Sequence, residues 1–347
     1  MTTRLNRDAP VAMANIGYSD TSVPDSIIAR DIIVVAADGF TLRGKWFLPA
    51  TIDPSAPVVV IACGGGIPAR YYSRMAKFLA GKGMAALTFD YRGIGESRGS
   101  CFKGLEAGVE TWAQLDLGAA LSTARAAFPL ASLGMIAHSV GALLIGAAPD
   151  AHKVSRLVLF GPHTGYWRDY RPRWRWLLFL TWHVLMPIVT KMVGYFPGRA
   201  LRLGEDLPRA FALDWAGRRR PGLLRTASDV RRFGQILARY GQMRAQTLIL
   251  SVTDDAFAPP VAAHRLLSLY PNLAAVHETI APADLGHRRL GHMAFLRRPT
   301  GFFFWERAAA WLLQTDPAGR AGNTGVLSDV PPSGTKGLSP AGSATPS

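Results

Sequence analysis

The chain has 347 residues, with 39 basic and 24 acidic side chains and a formal charge of +15. An apolar content of 49% excludes a disordered polymer, and two cysteines are too few for a disulfide scaffold. The length suits one large α/β domain or two small ones, so the charge is the feature that needs an address: nucleic acid, an anionic membrane or an acidic substrate.

Residues 1–25 are polar and read as an N-terminal extension without a secretory signal. Cys63 and Cys101 fit a reducing, cytoplasmic setting. Runs 32–36 and 41–47 flank Asp38-Gly39 as a hairpin, and the continuous apolar run 58–63 predicts a strand covered on both faces. A helix is expected over 70–82, a strand over 84–89, a helix over 110–127 and a strand over 133–137. Helix 139–147 and strand 154–160 follow. The rhythm breaks at Gly161 and resumes with strand 247–252, helix 260–269, strand 275–280 and helix 302–313. This alternation predicts a mostly parallel central sheet with helices on both faces. Residues 26–161 and 246–314 form the expected core, and 162–245 a mainly helical insertion at the carboxyl ends of the strands. The Gly, Ser and Pro of 315–347 predict a disordered tail.

A serine at a strand-to-helix junction flanked by small residues is the nucleophile-elbow pattern, and A-H-S-V-G supplies it at Ser139. The tight turn forces the serine backbone into strain, and Gly141 keeps the neighbouring chain clear. The plain alternative is a helix N-cap. Serine needs a base, and the base an orienting carboxylate. Strand 247–252 ends in T-D-D-A-F-A-P, offering Asp254 and Asp255; Asp255 is preferred from its spacing to Pro259. Downstream, His292 in L-G-H-M-A-F is preferred as base over His287, which precedes two arginines, and over His277 in the final strand. His138 is expected to face away from the site as a packing residue. Two N–H donors must meet the developing oxyanion. Val140 is one candidate; Gly65 in C-G-G-G-I-P is the other, with Gly64 and Gly66 as alternatives. No phosphate-loop pattern, zinc-finger spacing or RNA-binding signature is present, so neither cofactor nor metal nor sequence-specific nucleic acid is expected.

F-D-Y-R-G-I-G-E-S at 89–97, the serine motif, Asp255 and L-G-H at 290–292 together resemble the α/β-hydrolase superfamily over residues 30–314. G-I-P-A-R-Y-Y at 66–72 and G-Y-W-R-D-Y at 165–170 are similar to its bacterial serine aminopeptidase-like, monoacylglycerol lipase-like group. Departures are Ala137 and Ala142 where glycines are usual and Cys63 where many members carry histidine. The resemblance implies the α/β-hydrolase fold, with 162–245 as a cap over the serine.

That segment holds sixteen basic and five acidic residues, so it carries +11 of the net charge, and five of the nine tryptophans. Tyr72, Trp167, Trp174 and Trp182 are the candidate substrate-contacting aromatics. Arg171, Arg173, Arg175 and Arg218–Arg220 could meet anionic groups, or simply form a solvated basic face. The stretch 176–189 is the most membrane-like, but its fourteen residues give about 21 Å of helix, interrupted by His183 and Pro187. A buried or interfacial helix is expected. These features predict a serine hydrolase acting on a carboxylic ester, with a small-molecule or lipid-like substrate and peripheral contact with an anionic membrane. An aminopeptidase, or a noncatalytic binding module on a hydrolase scaffold, are the competing readings.

Overall fold

Gly39 takes φ +82°, and Asp38 accepts the Phe40 N–H at 3.2 Å, closing a hairpin between β1 (Ile28–Val35) and β2 (Thr41–Leu48). The structure, a computed structural model, describes residues 27–314 apart from 101, 103, 106, 219–235 and 237. The expected N-terminal extension, Cys101, Arg219, Arg220 and the expected tail lie outside the described residues.

Every residue of β3 (Val58–Ala62), β4 (Ala85–Phe89), β5 (Leu133–His138) and β6 (Arg156–Phe160) is buried, which accounts for the continuous apolar run at β3 and leaves Thr88, His138 and Arg156 as buried polar or charged members of the other three. With β7 (Gln246–Val252) and β8 (Ala274–Ile280) they complete one sheet in the order β1-β2-β4-β3-β5-β6-β7-β8. β2 is antiparallel to β1 and β4; all other neighbours are parallel. Helices cover both faces. On one, Ser73–Gly81 and Gly301–Leu312 meet through Phe78 and Trp305, whose ring centroids are 5.9 Å apart.

The segment after β4 is a strut. Asp90 accepts the Ala69 N–H at 2.6 Å and the Glu96 N–H at 2.9 Å, and Gly95, at φ +51°, has no room for a Cβ beside that carboxylate. Arg92 bonds Asp116 at 2.7 Å and Asp38 at 2.6 Å, tying the hairpin to the helical run 109–127. Burial raises Asp116 to about 6 despite the pull of Arg92.

Between β6 and β7 the chain leaves the sheet. Helix Pro172–Leu180 passes through a π-helical turn, Thr181–Leu185, into Met186–Val193. This corrects the expectation that His183 and Pro187 interrupt it. Proline lacks an N–H and collides with the carbonyl four residues back; the widened turn before Pro187 absorbs the misfit. The His183 Nδ1–H donates instead to the Ala216 carbonyl at 2.7 Å. Trp174–Val193 is consequently 20 residues, long and apolar enough to cross a membrane by length and composition. Its two faces differ. Trp182, His183, Met186 and Thr190 are buried, whereas Leu177, Leu180, Val184, Ile188 and Met192 are all at least 40% exposed. A bridge between Phe196 and Leu207 and the helix Arg209–Ala216 follow.

Candidate active site

Sheet register brings the separate motifs to one edge. His138 of β5 lies opposite Phe160 of β6, and Phe160 opposite Leu250 of β7, so the chain beyond each strand emerges side by side. Ser139 is the first residue past β5; its N–H donates to the Phe160 carbonyl at 2.9 Å. It has φ +57°, a left-handed backbone that non-glycine residues rarely adopt. Two residues on, a Cβ at Gly141 would fall 2.6 Å from the Ala62 carbonyl oxygen and 2.8 Å from that of Cys63. The elbow therefore needs a glycine there, while Ala137 fits fully buried within β5.

His292 Nε2 lies 2.9 Å from Ser139 Oγ, and His292 Nδ1 lies 2.7 Å from Asp255 Oδ2. The other Asp255 oxygen accepts the N–H groups of Phe257 and Ala258, both at 2.8 Å. Burial raises the Asp255 carboxyl, but His292 and these two donors outweigh it and hold the group below the usual carboxylate range. Asp254 acts elsewhere in the loop, accepting the N–H groups of Leu290 at 2.9 Å and Gly291 at 3.0 Å and so fixing the turn that delivers His292. Gly161, at φ +49°, passes so close that a Cβ would lie 3.1 Å from Asp255 Oδ2 and 3.4 Å from His292 Nδ1.

His138 does not face away, as its place on an alternating strand suggests. Its ring stacks on His292 with centroids 4.8 Å apart, and its Nε2 lies 3.2 Å from the His292 carbonyl oxygen. The strained turn at Ser139 breaks simple alternation here. Tyr72 is likewise corrected: fully buried, its hydroxyl accepts the Gly64 N–H and lies 2.8 Å from His138 Nδ1, so it props the glycine loop instead of lining a cavity. The Gly64 N–H is thereby engaged, and the next residue, Gly65, sits against Val140 and the Phe211 ring.

His163 has no counterpart in the sequence expectation, which draws its bases only from downstream of the acid. Its Nε2 is 2.9 Å from Ser139 Oγ, the residue is 3% exposed, and burial followed by the influence of His292 lowers its pKa to about 3. The signal was legible in principle, because the loop after β6 must border the loop after β5. Trp182, 8% exposed, packs edge-on against Tyr170 and Trp215, and both of these contact His163. Trp167 packs among Trp176 and Phe179, and Trp174 is 41% exposed on the outer helix. His277 bonds Ser251 Oγ at 2.9 Å within the sheet, and His287 is half-buried in its own turn. Among the described residues no cluster of side chains suits a metal ion.

The strand order and the strained serine between β5 and its helix define the class of molecule, an α/β-fold hydrolase. The family model for serine aminopeptidase S33 matches residues 53–278, and the chain belongs to that family. Similar folds include the esterase Pf2001 of Pyrococcus furiosus, 16% identical with a TM-score of 0.52, covering 85% of this chain and 94% of that one. Est1E from Butyrivibrio proteoclasticus, solved with ferulic acid bound, is 15% identical with a TM-score of 0.54 over 81% of this chain and 98% of its own. An uncharacterized protein of Mycobacterium tuberculosis is 37% identical over 70 residues, 20% of this chain; the match spans 25% of that relative's length.

Proposed function

We propose that this chain is a serine hydrolase that cleaves a carboxylic ester through an acyl-enzyme. The observation that carries this reading is the continuous series Ser139 Oγ–His292–Asp255, with separations of 2.9 and 2.7 Å, on a serine held at φ +57°. Ser139 is the nucleophile. His292 takes its proton as Oγ bonds to the acyl carbon and returns it to the departing alcohol. Asp255, held ionised, fixes the ring and stabilises the imidazolium. The N–H groups of Val140 and Gly65 serve the oxyanion. Water then attacks the acyl carbon, with His292 again as base.

Ester is favoured over peptide by the engagement of the acids in the segment 162–245, which we take as a cap. An aminopeptidase needs a carboxylate for the substrate ammonium. Among the described residues of the cap, Asp169 pairs with Arg265, Glu205 with Arg70 and Arg199, and Asp206 with Arg98; Asp214 accepts the Val109 N–H. The walls near Ser139 are aromatic instead: Phe211, Trp215, Tyr170 and Trp182, with Phe257 5.7 Å from His292 at the rim. Such a lining suits an acyl chain.

The outer cap helix extends this to lipid-borne substrates. Its exposed stripe, 177, 180, 184, 188 and 192, recurs at helical spacing, with exposed Arg168 and Arg171 before the helix and Lys191 near its end. The buried face packs on the cap through Trp182 and His183, so the helix would lie along an anionic surface, not cross it. The primary test is labelling by a fluorophosphonate and turnover of p-nitrophenyl esters of increasing chain length, comparing wild type with Ser139→Ala. An unlabelled wild type, or equal turnover by the variant, removes the proposal.

A further inference from the structure

Ser139 Oγ is approached by two histidines at the same distance. His163 Nε2 and His292 Nε2 each stand 2.9 Å away, with their rings 75° apart in plane. A hydroxyl carries one proton and two lone pairs. A base at His292 requires the proton to point there. His163 then faces a lone pair and must bring an N–H on Nε2. Its tautomer follows: Nδ1 is left as an acceptor, and the Tyr170 hydroxyl stands 3.4 Å from it. The protons run in one direction, from Tyr170 to His163 to Ser139 to His292 to Asp255. Burial keeps His163 neutral, lowering it to about 3, so it acts as a neutral donor and not as a competing base.

We infer that His163 is a catalytic residue of the second half-reaction, its Nε2–H stabilising Ser139 Oγ as the leaving oxygen when the acyl-enzyme is hydrolysed. The inference rests on Ser139 being the nucleophile. In deacylation His292 takes a proton from water as the water oxygen bonds to the acyl carbon. The intermediate collapses, the electron pair of the breaking C–Oγ bond returns to Oγ, and the proton passes from His292 to Oγ, releasing a carboxylic acid. His163 gives up no proton; its hydrogen bond strengthens as charge builds on Oγ. During acylation the same donor draws density from the attacking oxygen, so it does not favour that step. The two half-reactions therefore respond differently to its removal. A residue that merely filled space would slow both together.

The experiment compares two rates in wild type, His163→Leu and His163→Gln. Fluorophosphonate labelling reports attack by Oγ alone, and pre-steady-state p-nitrophenyl ester hydrolysis reports acylation and deacylation separately. His163→Leu is expected to label within about threefold of wild type. Its ratio of acylation to deacylation rate constants should rise on the order of 10-fold, the loss of one charge-assisted hydrogen bond. His163→Gln, which keeps an N–H at similar reach, should restore the wild-type ratio. His163→Asn, whose amide stops short of Ser139, replaces the leucine variant should that one not fold. An unchanged ratio in His163→Leu, or a glutamine variant that accumulates acyl-enzyme as leucine does, overturns the inference. An unlabelled wild type is a different result and overturns the serine mechanism itself.

Discussion

His138 lies stacked beneath His292, 4.8 Å between centroids and 29° between planes, and also meets the His292 carbonyl through Nε2 at 3.2 Å. One side chain thus fixes both the ring plane and the backbone of the proposed base. His138→Phe keeps the stacking and loses the hydrogen bonds, to Tyr72 as well as to His292. We expect kcat to fall on the order of 10-fold with little change in KM. Tyr72→Phe should give a similar loss, and the double variant less than the product of the two, because they share one network. Steady-state kinetics on the four proteins checks this.

The two adjacent aspartates should separate by magnitude. Asp255→Asn removes the partner that orients the His292 ring, with an expected loss on the order of 10³-fold in kcat. Asp254→Asn turns an acceptor toward the Leu290 or Gly291 N–H into a donor. We expect about a 10-fold loss through a displaced loop, whereas sequence reasoning alone assigns it none. His287→Gln should leave turnover unchanged. Equal losses from the two aspartate variants would refute this division of labour.

Gly161→Ala meets two obstacles, a backbone at φ +49° and a methyl 3.1 Å from Asp255 Oδ2. The expected cost is about 1–2 kcal/mol of stability, read as a lowered Tm. Turnover should fall further than the stability loss explains, because the intrusion lies at the Asp255–His292 hydrogen bond.

Acid should weaken the fold from a definite starting point. Burial lowers His163 to about 3 and His277 to about 4, and burial also lowers His138. Unfolded histidines take up a proton near 6.5, so below that pH the unfolded chain binds protons that the folded chain refuses. Stability should hold above about pH 6.5 and decline as pH falls toward 4, with His163 contributing at most about 1.4 kcal/mol per pH unit. Denaturant titrations at several pH values test this, and His163→Gln should flatten the decline.

The outer helix predicts a surface effect separable from chemistry. Leu180→Glu and Ile188→Glu place charge in the exposed stripe and should abolish retention on phosphatidylglycerol vesicles. Turnover of a soluble short-chain p-nitrophenyl ester should stay at the wild-type level. Retention by both variants would dismiss the membrane role.

Much of the core was legible because buried parallel strands leave a strong trace: 58–63, 84–89 and 154–160 have no polar alternation to confuse their reading. Ser139, Asp255 and His292 could be singled out as candidates because their residue types occur at strand ends in the right chain order, and their separations of 2.9 and 2.7 Å support the proposal built on them. The placements of His138 and Asp254 were not legible, since they arise from register between β5, β6 and β7 and from a turn that reverses the expected direction of a side chain, while His163 was signalled only by the adjacency of the loops after β5 and β6. The continuous helix 172–193 was hidden for another reason. A proline is read locally as a break, while the π-helical turn Thr181–Leu185 accommodates it through the surrounding backbone.

Under the proposed serine mechanism, the left-handed backbone of Ser139 sets activity and durability against each other at a single φ angle. Alanine there removes the proposed nucleophile and keeps the strain. Glycine removes both, and should make Ser139→Gly about 1 kcal/mol more stable than Ser139→Ala. A lineage released from selection for turnover would find that substitution downhill, so a glycine at this position in a related chain would mark a scaffold that has given up catalysis.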